Sequence, residues 1–214
     1  MPTLYYLPGS AAMAPHAALE EAGAQYELVQ VVREDGVTVS PPDYLKINPH
    51  GRVPAYVDGD LSLHESAAIV LHVGDRYPDS GVTPPAGSAE RSEFYRWLVH
   101  LTNTVQPAFI NWYAPGRLVG EEPPVQAAVT AGAERQLAGS FDWIEGELAG
   151  RQHLLGKTFS GADLFLFMLT RWGRTLEPKP WSLPNLGAHY RRLAERPSVA
   201  RMMERQGIEL YPEE

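Results

Sequence analysis

No cysteine occurs among the 214 residues, which excludes disulfides, a thiolate zinc site and a cysteine nucleophile supplied by the protein itself. Any thiol chemistry must use a sulfur that a ligand brings. Long apolar runs are missing too: none approaches the ~20 residues that span a bilayer. Basic runs are equally scarce, since 26 Asp and Glu outnumber 18 Lys and Arg for a formal net charge of -8. The electrostatic footprint of nucleic-acid or anionic-membrane binding is therefore absent. Met1-Pro2-Thr3-Leu4 enters strand-like sequence at once, without the charged and apolar regions of a signal peptide. The expectation is a cytoplasmic protein whose partner is a small molecule or another protein.

What is present divides the chain in two. Up to about residue 77, strand and helix signals alternate. Thr3 to Leu7 favours a strand closed by Pro8-Gly9, Met13 to Glu21 is Ala-rich and helical, and Tyr26 to Val32 reads as a second strand. Ala55 to Val57 and Leu61 to Leu63 flank Asp58-Gly59-Asp60, a hairpin signal, and a helix follows from Ser66 to about Arg76. Tyr77 to Ser88 is rich in Pro, Gly and Ser and reads as a linker. Beyond it only helical patterns occur: Ala89 to Tyr113, Val125 to Leu148, Ala162 to Leu176, and Leu186 to about Gln206 with a break at Arg196-Pro197. The prediction is a small mixed sheet covered by helices, over residues 1–80, followed by an all-helical domain over 89–214.

Four segments carry candidate chemistry. Leu4-Tyr5-Tyr6-Leu7-Pro8-Gly9-Ser10 places a hydroxyl where a strand hands over to a helix. Unpaired N–H groups at such an end favour an anion, including a thiolate; a plain helix-capping serine fits the segment as well. Tyr5 and Tyr6 alternate across the strand, so at least one belongs to the core, and a catalytic tyrosine is the lesser reading. In Asn48-Pro49-His50-Gly51-Arg52-Val53-Pro54-Ala55, a Pro stands at the entrance to a strand. A trans bond is the default there; a cis bond would turn the Val53 backbone outward to pair with an extended peptide. His64-Glu65-Ser66 opens a helix with a carboxylate and a hydroxyl. These suit a ligand ammonium and a ligand carboxylate, or simply an ordinary charged first turn. Phe159-Ser160-Gly161-Ala162-Asp163-Leu164 is a capping box with a hydrophobic staple, a structural feature.

Taken in this order and spacing, these segments resemble a cytosolic glutathione transferase over essentially the whole chain. The resemblance implies a thioredoxin-like α/β N-terminal domain with an all-α C-terminal domain, Val53-Pro54 matching the family's cis-proline and Glu65-Ser66 its γ-glutamyl site. It implies glutathione as co-substrate, no metal, and a homodimer. Glutathione-binding residues would be Ser10, Arg52, Val53, Pro54, Glu65 and Ser66. The thiol would be activated by Ser10, with Tyr6 or backbone N–H groups as the alternatives. Tyr5 to His16, Asp43-Tyr44-Leu45 and Leu169-Thr170-Arg171-Trp172 are similar to the bacterial beta class. That class has a cysteine where this chain has Ala11, and a histidine at the position of Gln106. Tyr-Tyr-Leu-Pro-Gly-Ser is also how the delta class begins, with a thiol-activating serine in that place. A hydrophobic electrophile would lie between the domains against Met13, Gln106, Phe109, Ile110, Tyr113 and Trp172, an apolar and aromatic wall. The competing expectations are a non-catalytic binding or regulatory module on the same fold, and a glutathione-dependent isomerase, dehalogenase or etherase.

Overall fold

In the computed structural model, which describes residues 1–34 and 37–210 and the side chains of all of these except 37–39, the first 64 residues supply every strand. β1 (Thr3–Tyr6) alternates, burying Leu4 and Tyr6 while Thr3 and Tyr5 stay half-exposed. It passes through α1 (Met13–Glu21) to β2 (Glu27–Gln30), which pairs with it in parallel, Leu4 opposite Leu28. β5 (Ala55–Asp58) and β6 (Leu61–His64) form the expected hairpin, with Gly59 at φ 59° in the turn, and β5 runs antiparallel to β1. The sheet order is β2-β1-β5-β6, and α3 (Ser66–Arg76) follows directly. This is a thioredoxin-like α/β domain.

The second strand is shorter than expected. At Val31, fully buried with its N–H bonded to the Tyr6 carbonyl, the chain leaves the main sheet. β3 (Val32–Glu34) and β4 (Val37–Ser40) then make a separate two-stranded sheet, followed by the short helix α2 (Tyr44–Ile47).

The remainder is helical: α4 (Ala89–His100), α5 (Gln106–Tyr113), α6 (Gly116–Val119), α7 (Pro123–Glu147), α8 (Gly161–Trp172), α9 (Pro184–Ala194) and α10 (Pro197–Gln206). Residues 211–214, the end of the expected helical domain, lie outside the described residues. The pattern from Ala89 to Tyr113 predicts one helix, whereas a π-helical turn at Leu101–Val105 divides it. Pro107 supplies the reason. Proline has no N–H to give to the carbonyl four residues back, that of Asn103, and its ring clashes there, so the ladder widens over that stretch. The turn resets the rotation of everything after it.

All twelve residues of α8 are buried. α1 packs against α3, α8 and α10, so one apolar core runs from Leu4 to Met203 through both domains. Polar links close the seam. Glu21 accepts from Arg196 at 2.6 and 2.8 Å and from the Ser198 hydroxyl, while Glu20 accepts from Arg201 at 2.9 Å and Arg205 at 2.6 Å. Burial by itself would raise the Glu20 carboxyl, but the bonds from Tyr26, Arg201 and Arg205 outweigh it and hold the group down to about 2. Among the described residues no helix is long and apolar enough to cross a membrane.

Candidate functional site

A cleft of about 570 Å³ opens between the domains. Its N-terminal wall runs from Leu7, Ser10 and Ala11 through residues 48–54 to Glu65 and Ser66. Val53–Pro54 is a cis peptide, against the trans default for such bonds. The preceding turn is pinned: the Arg52 carbonyl accepts from the Asn48 side-chain amide at 2.7 Å and from the hydroxyl of the fully buried Tyr44. Burial pushes the Tyr44 phenol up to about 12, so it stays a donor. Among the described residues, neither N–H nor C=O of Val53 has a partner, and both belong to a residue that lines the cleft. Such an unpaired edge is what an extended peptide adds to.

Beside it stands Glu65, the one non-glycine with positive φ (74°) among the described residues. A side chain held in that region costs on the order of 1–3 kcal/mol, and such outliers gather at ligand sites. Its exposed carboxylate meets no cation among the described residues. The next residue, Ser66, begins α3, and its hydroxyl donates to the Ala11 carbonyl at 2.9 Å, tying that helix end to the loop after β1.

That loop carries Ser10. Its hydroxyl donates to the Leu7 carbonyl at 2.7 Å and accepts the Ala12 N–H at 3.2 Å, and its own carbonyl accepts from Met13 at 3.1 Å. Ser10 thus braces the turn ahead of α1 while also lining the cleft, but it is not the capping serine of the plainer reading, since the N-cap residue is Ala12 and it has no side-chain cap. The neighbouring Ala11 N–H has no partner among the described residues. Gly9, at φ 68°, is held from the helical domain on both sides of its backbone. Its N–H donates to Gln206 Oε1 at 3.1 Å, and its carbonyl accepts from Trp172 Nε1 at 2.9 Å. Gln206 is buried, and its amide nitrogen meets His16 Nδ1 at 3.0 Å. Burial lowers His16 to about 4. The ring is therefore neutral at physiological pH and accepts there, which fixes the orientation of the Gln206 amide.

The structure brings together Ser10, Arg52, Val53, Pro54, Glu65 and Ser66 on one wall and Gln106, Ile110 and Trp172 on the other. Four of the residues named from the sequence lie elsewhere. Tyr6 is a core residue with its hydroxyl toward Gln30, outside the cleft lining. Met13 and Phe109 are 1% and 0% exposed, packed into the core. Tyr113 reaches the Trp172 carbonyl with its hydroxyl and is also outside the lining. For Met13 and Phe109 the apolar spacing marks a helix's inner face, which is as true of core as of cleft; Tyr6 is on a strand and Tyr113 is 43% exposed. Sequence reading missed Arg33, Asn48, His50 and Arg117, all of which line the cleft. Asn48 and His50 fall inside a motif already singled out, whereas Arg33 and Arg117 carry no local signal.

A second cluster, of buried His153, Asp163 and His189, brings metal-ligand atom types within 4.8 Å of one another. Its carboxylate is already used. Asp163 Oδ1 accepts the Leu154 N–H at 2.9 Å and meets His189 Nε2 at 2.9 Å, and Oδ2 accepts the Ser160 N–H at 2.9 Å. This is the capping box at the start of α8 extended by a histidine, and it needs no ion to explain it.

Two family models match the chain, glutathione S-transferase N-terminal domain over residues 2–75 and C-terminal domain over 113–197. Glutathione S-transferase GstA of Escherichia coli O157:H7 is 29% identical over 207 residues, covering 96% of this chain and 98% of that one. A solved sphingomonad glutathione S-transferase, complexed with glutathione, is 32% identical at a TM-score of 0.85, covering 97% of this chain and all of its own. A bacterial beta class enzyme from Sphingomonas chungbukensis is 31% identical at 0.84, with coverage of 97% and 100%.

Proposed function

We propose, from the premise that the chain belongs to the glutathione S-transferase family, that its interdomain cleft holds glutathione extended along the N-terminal wall and presents the sulfur beside Ser10 and Ala11. The chain is a glutathione transferase, and the residue roles that follow are our assignment. The observation that carries them is the convergence of unpaired groups on one wall: the Val53 N–H and C=O, the Glu65 carboxylate and the Ala11 N–H. Val53 pairs with the tripeptide backbone, Glu65 takes the γ-glutamyl ammonium, and Ser66 at the start of α3 takes the adjacent carboxylate. Arg52 stands where it can meet the glycine carboxylate.

A thiol with pKa about 8.5 is only a few per cent thiolate at pH 7, and a fall of roughly two units, about 2.7 kcal/mol, makes thiolate the major species. Ser10 supplies part of this as a donor. Its hydroxyl must leave the Leu7 carbonyl to reach the sulfur, exchanging a neutral hydrogen bond for a charge-assisted one. That exchange is worth about 1 kcal/mol, the difference between the two kinds of bond. The Ala11 N–H and the positive end of α1 supply the rest, since neither has to give up a partner. The thiolate then attacks the acceptor's electrophilic carbon, forming the C–S bond as the leaving group departs with its electron pair.

Ser10→Ala therefore raises the pKa of bound glutathione by about 0.7 unit, equivalent to that 1 kcal/mol, and leaves affinity nearly intact. A thiolate absorbance titration checks this: an unchanged curve moves activation wholly to backbone N–H groups, and a shift of two units moves it wholly to Ser10. Failure of the chain to bind immobilised glutathione would favour the non-catalytic module. The subclass we assign is beta-like in framework, with the cysteine position taken by Ala11. Homodimerisation follows the family, and exposed Tyr95 and Val99 on α4 with Trp143 on α7 offer it an apolar face.

A further inference from the structure

We infer that the acceptor this enzyme selects carries an anionic group, a carboxylate or sulfonate near its reactive carbon, bound by Arg117. The inference rests on the glutathione reading above and deepens it. The helical wall was expected to be aromatic and apolar, yet Met13 and Phe109 are buried in the core, Tyr113 is outside the lining, and the side chains that α5 and α6 do present are Gln106, Ile110 and Arg117. Arg117 is exposed, and among the described residues its guanidinium meets no carboxylate, although the chain holds 26 of them. Its backbone is nevertheless held in place. The Arg117 N–H donates to the Ala114 carbonyl at 3.1 Å, and Gln126 on α7 donates its side-chain amide to the Gly120 carbonyl at the end of α6. A fixed backbone carrying an uncommitted planar fork, in a cleft that opens beside the thiol site, is suited to a bidentate anion.

Glutathione does not need this arginine. Its γ-glutamyl carboxylate is met at Ser66 and its glycine carboxylate at Arg52, both on the opposite wall, while Arg117 belongs to the helical domain with Gln106 and Ile110. In a protein of net charge -8, Arg117 sets a positive field on the helical side of the cleft, where the acceptor enters, while Glu65, the one carboxylate among the lining residues, stands on the opposite wall. A neutral hydrophobe gains nothing from that field, whereas an anion is both steered and held.

The test uses preformed conjugates, so it does not depend on turnover: S-(2,4-dinitrophenyl)glutathione, and the analogue with a carboxylate in place of one nitro group, titrated into the full chain by calorimetry. The expected result is about a five- to tenfold preference for the carboxylated conjugate at low salt, shrinking as ionic strength rises. Arg117→Gln abolishes the preference and Arg117→Lys keeps part of it. Equal affinity for the two conjugates in the natural chain, or an unaltered ratio in Arg117→Gln, overturns the proposal while leaving the glutathione reading intact. A loss of affinity for glutathione alone in Arg117→Gln also overturns it, because the arginine would then serve the tripeptide. If neither conjugate binds, the glutathione reading falls and this inference falls with it.

Discussion

The two walls of the cleft are built on different principles. The N-terminal wall offers unpaired main chain, at Val53 beside its cis-proline and at the Ala11 N–H, together with the side chains of Ser10, Arg52 and a strained Glu65. The helical wall offers side chains, and which ones it offers depends on how α4 and α5 are rotated around the π turn at Leu101–Val105. In the reading proposed above, that first wall recognises what every glutathione conjugate shares. A wall of side chains can be rebuilt one residue at a time, so acceptor choice diverges there.

The walls meet at α1, and the largest expected effect tests that junction. His16 is buried and held at about 4, below its unfolded value near 6.5, so the unfolded chain binds more protons between those limits. Its contribution is fully present above pH 6.5 and is lost as pH falls toward 4, on the order of 3 kcal/mol in all. Melting followed from pH 7 to 4 shows a decline that His16→Gln flattens in part, since burial also lowers His153. A variant that declines as steeply as the natural chain would mean that another group sets the acid limit.

Gln206→Ala comes next, and it can break the comparison outright. It strands the half-buried Gly9 N–H and the buried His16 ring, at a cost of about 2–3 kcal/mol. For a chain of this size that is a fall of roughly 4–12 °C in Tm. Because Gly9 precedes Ser10, the thiolate pKa of bound glutathione should rise as well. A lowered Tm with an unmoved thiolate pKa would show that the N-terminal wall keeps its geometry without the helical domain.

Glu65→Gly sharpens the same contrast from the other side. Relief of the positive φ should raise stability by about 1 kcal/mol, while loss of the carboxylate weakens glutathione binding by about 2 kcal/mol, roughly thirtyfold in Kd. Calorimetry and a thermal melt on one preparation read both. Stability and affinity falling together would assign Glu65 a structural role instead.

Much of the N-terminal wall was legible in the residues. The turn of Gly59 and the helix opening at Ser66 are local, with conformations that follow from neighbours a few positions away, whereas the residues around Val53-Pro54 give a trans bond as the default and only the family resemblance implied the cis one. The same locality made α1 and α3 readable nearly to the residue. It failed at Val31, where burial beside Tyr44 and Ala55 rather than propensity decides that the chain leaves the sheet. It failed again for Met13 and Phe109, because an apolar residue at helical spacing has the same pattern whether its face meets core or cleft. Arg117 and Gln206 carry no signal at all, since an exposed arginine and a lone glutamine are ordinary anywhere.

The sequence by itself determined the thioredoxin-like domain, the helical domain, the absence of a protein thiol and the motif that would hold glutathione, all of them properties of short segments. Tertiary structure alone decided which residues of α5 and α6 line the cleft, and that Gln206 and Trp172 clamp Gly9 from the helical domain. The reason is rotation and distance. Each helical residue turns the face by about 100°, so one π turn redirects a wall, and a contact across nearly two hundred residues leaves no trace in any window of sequence.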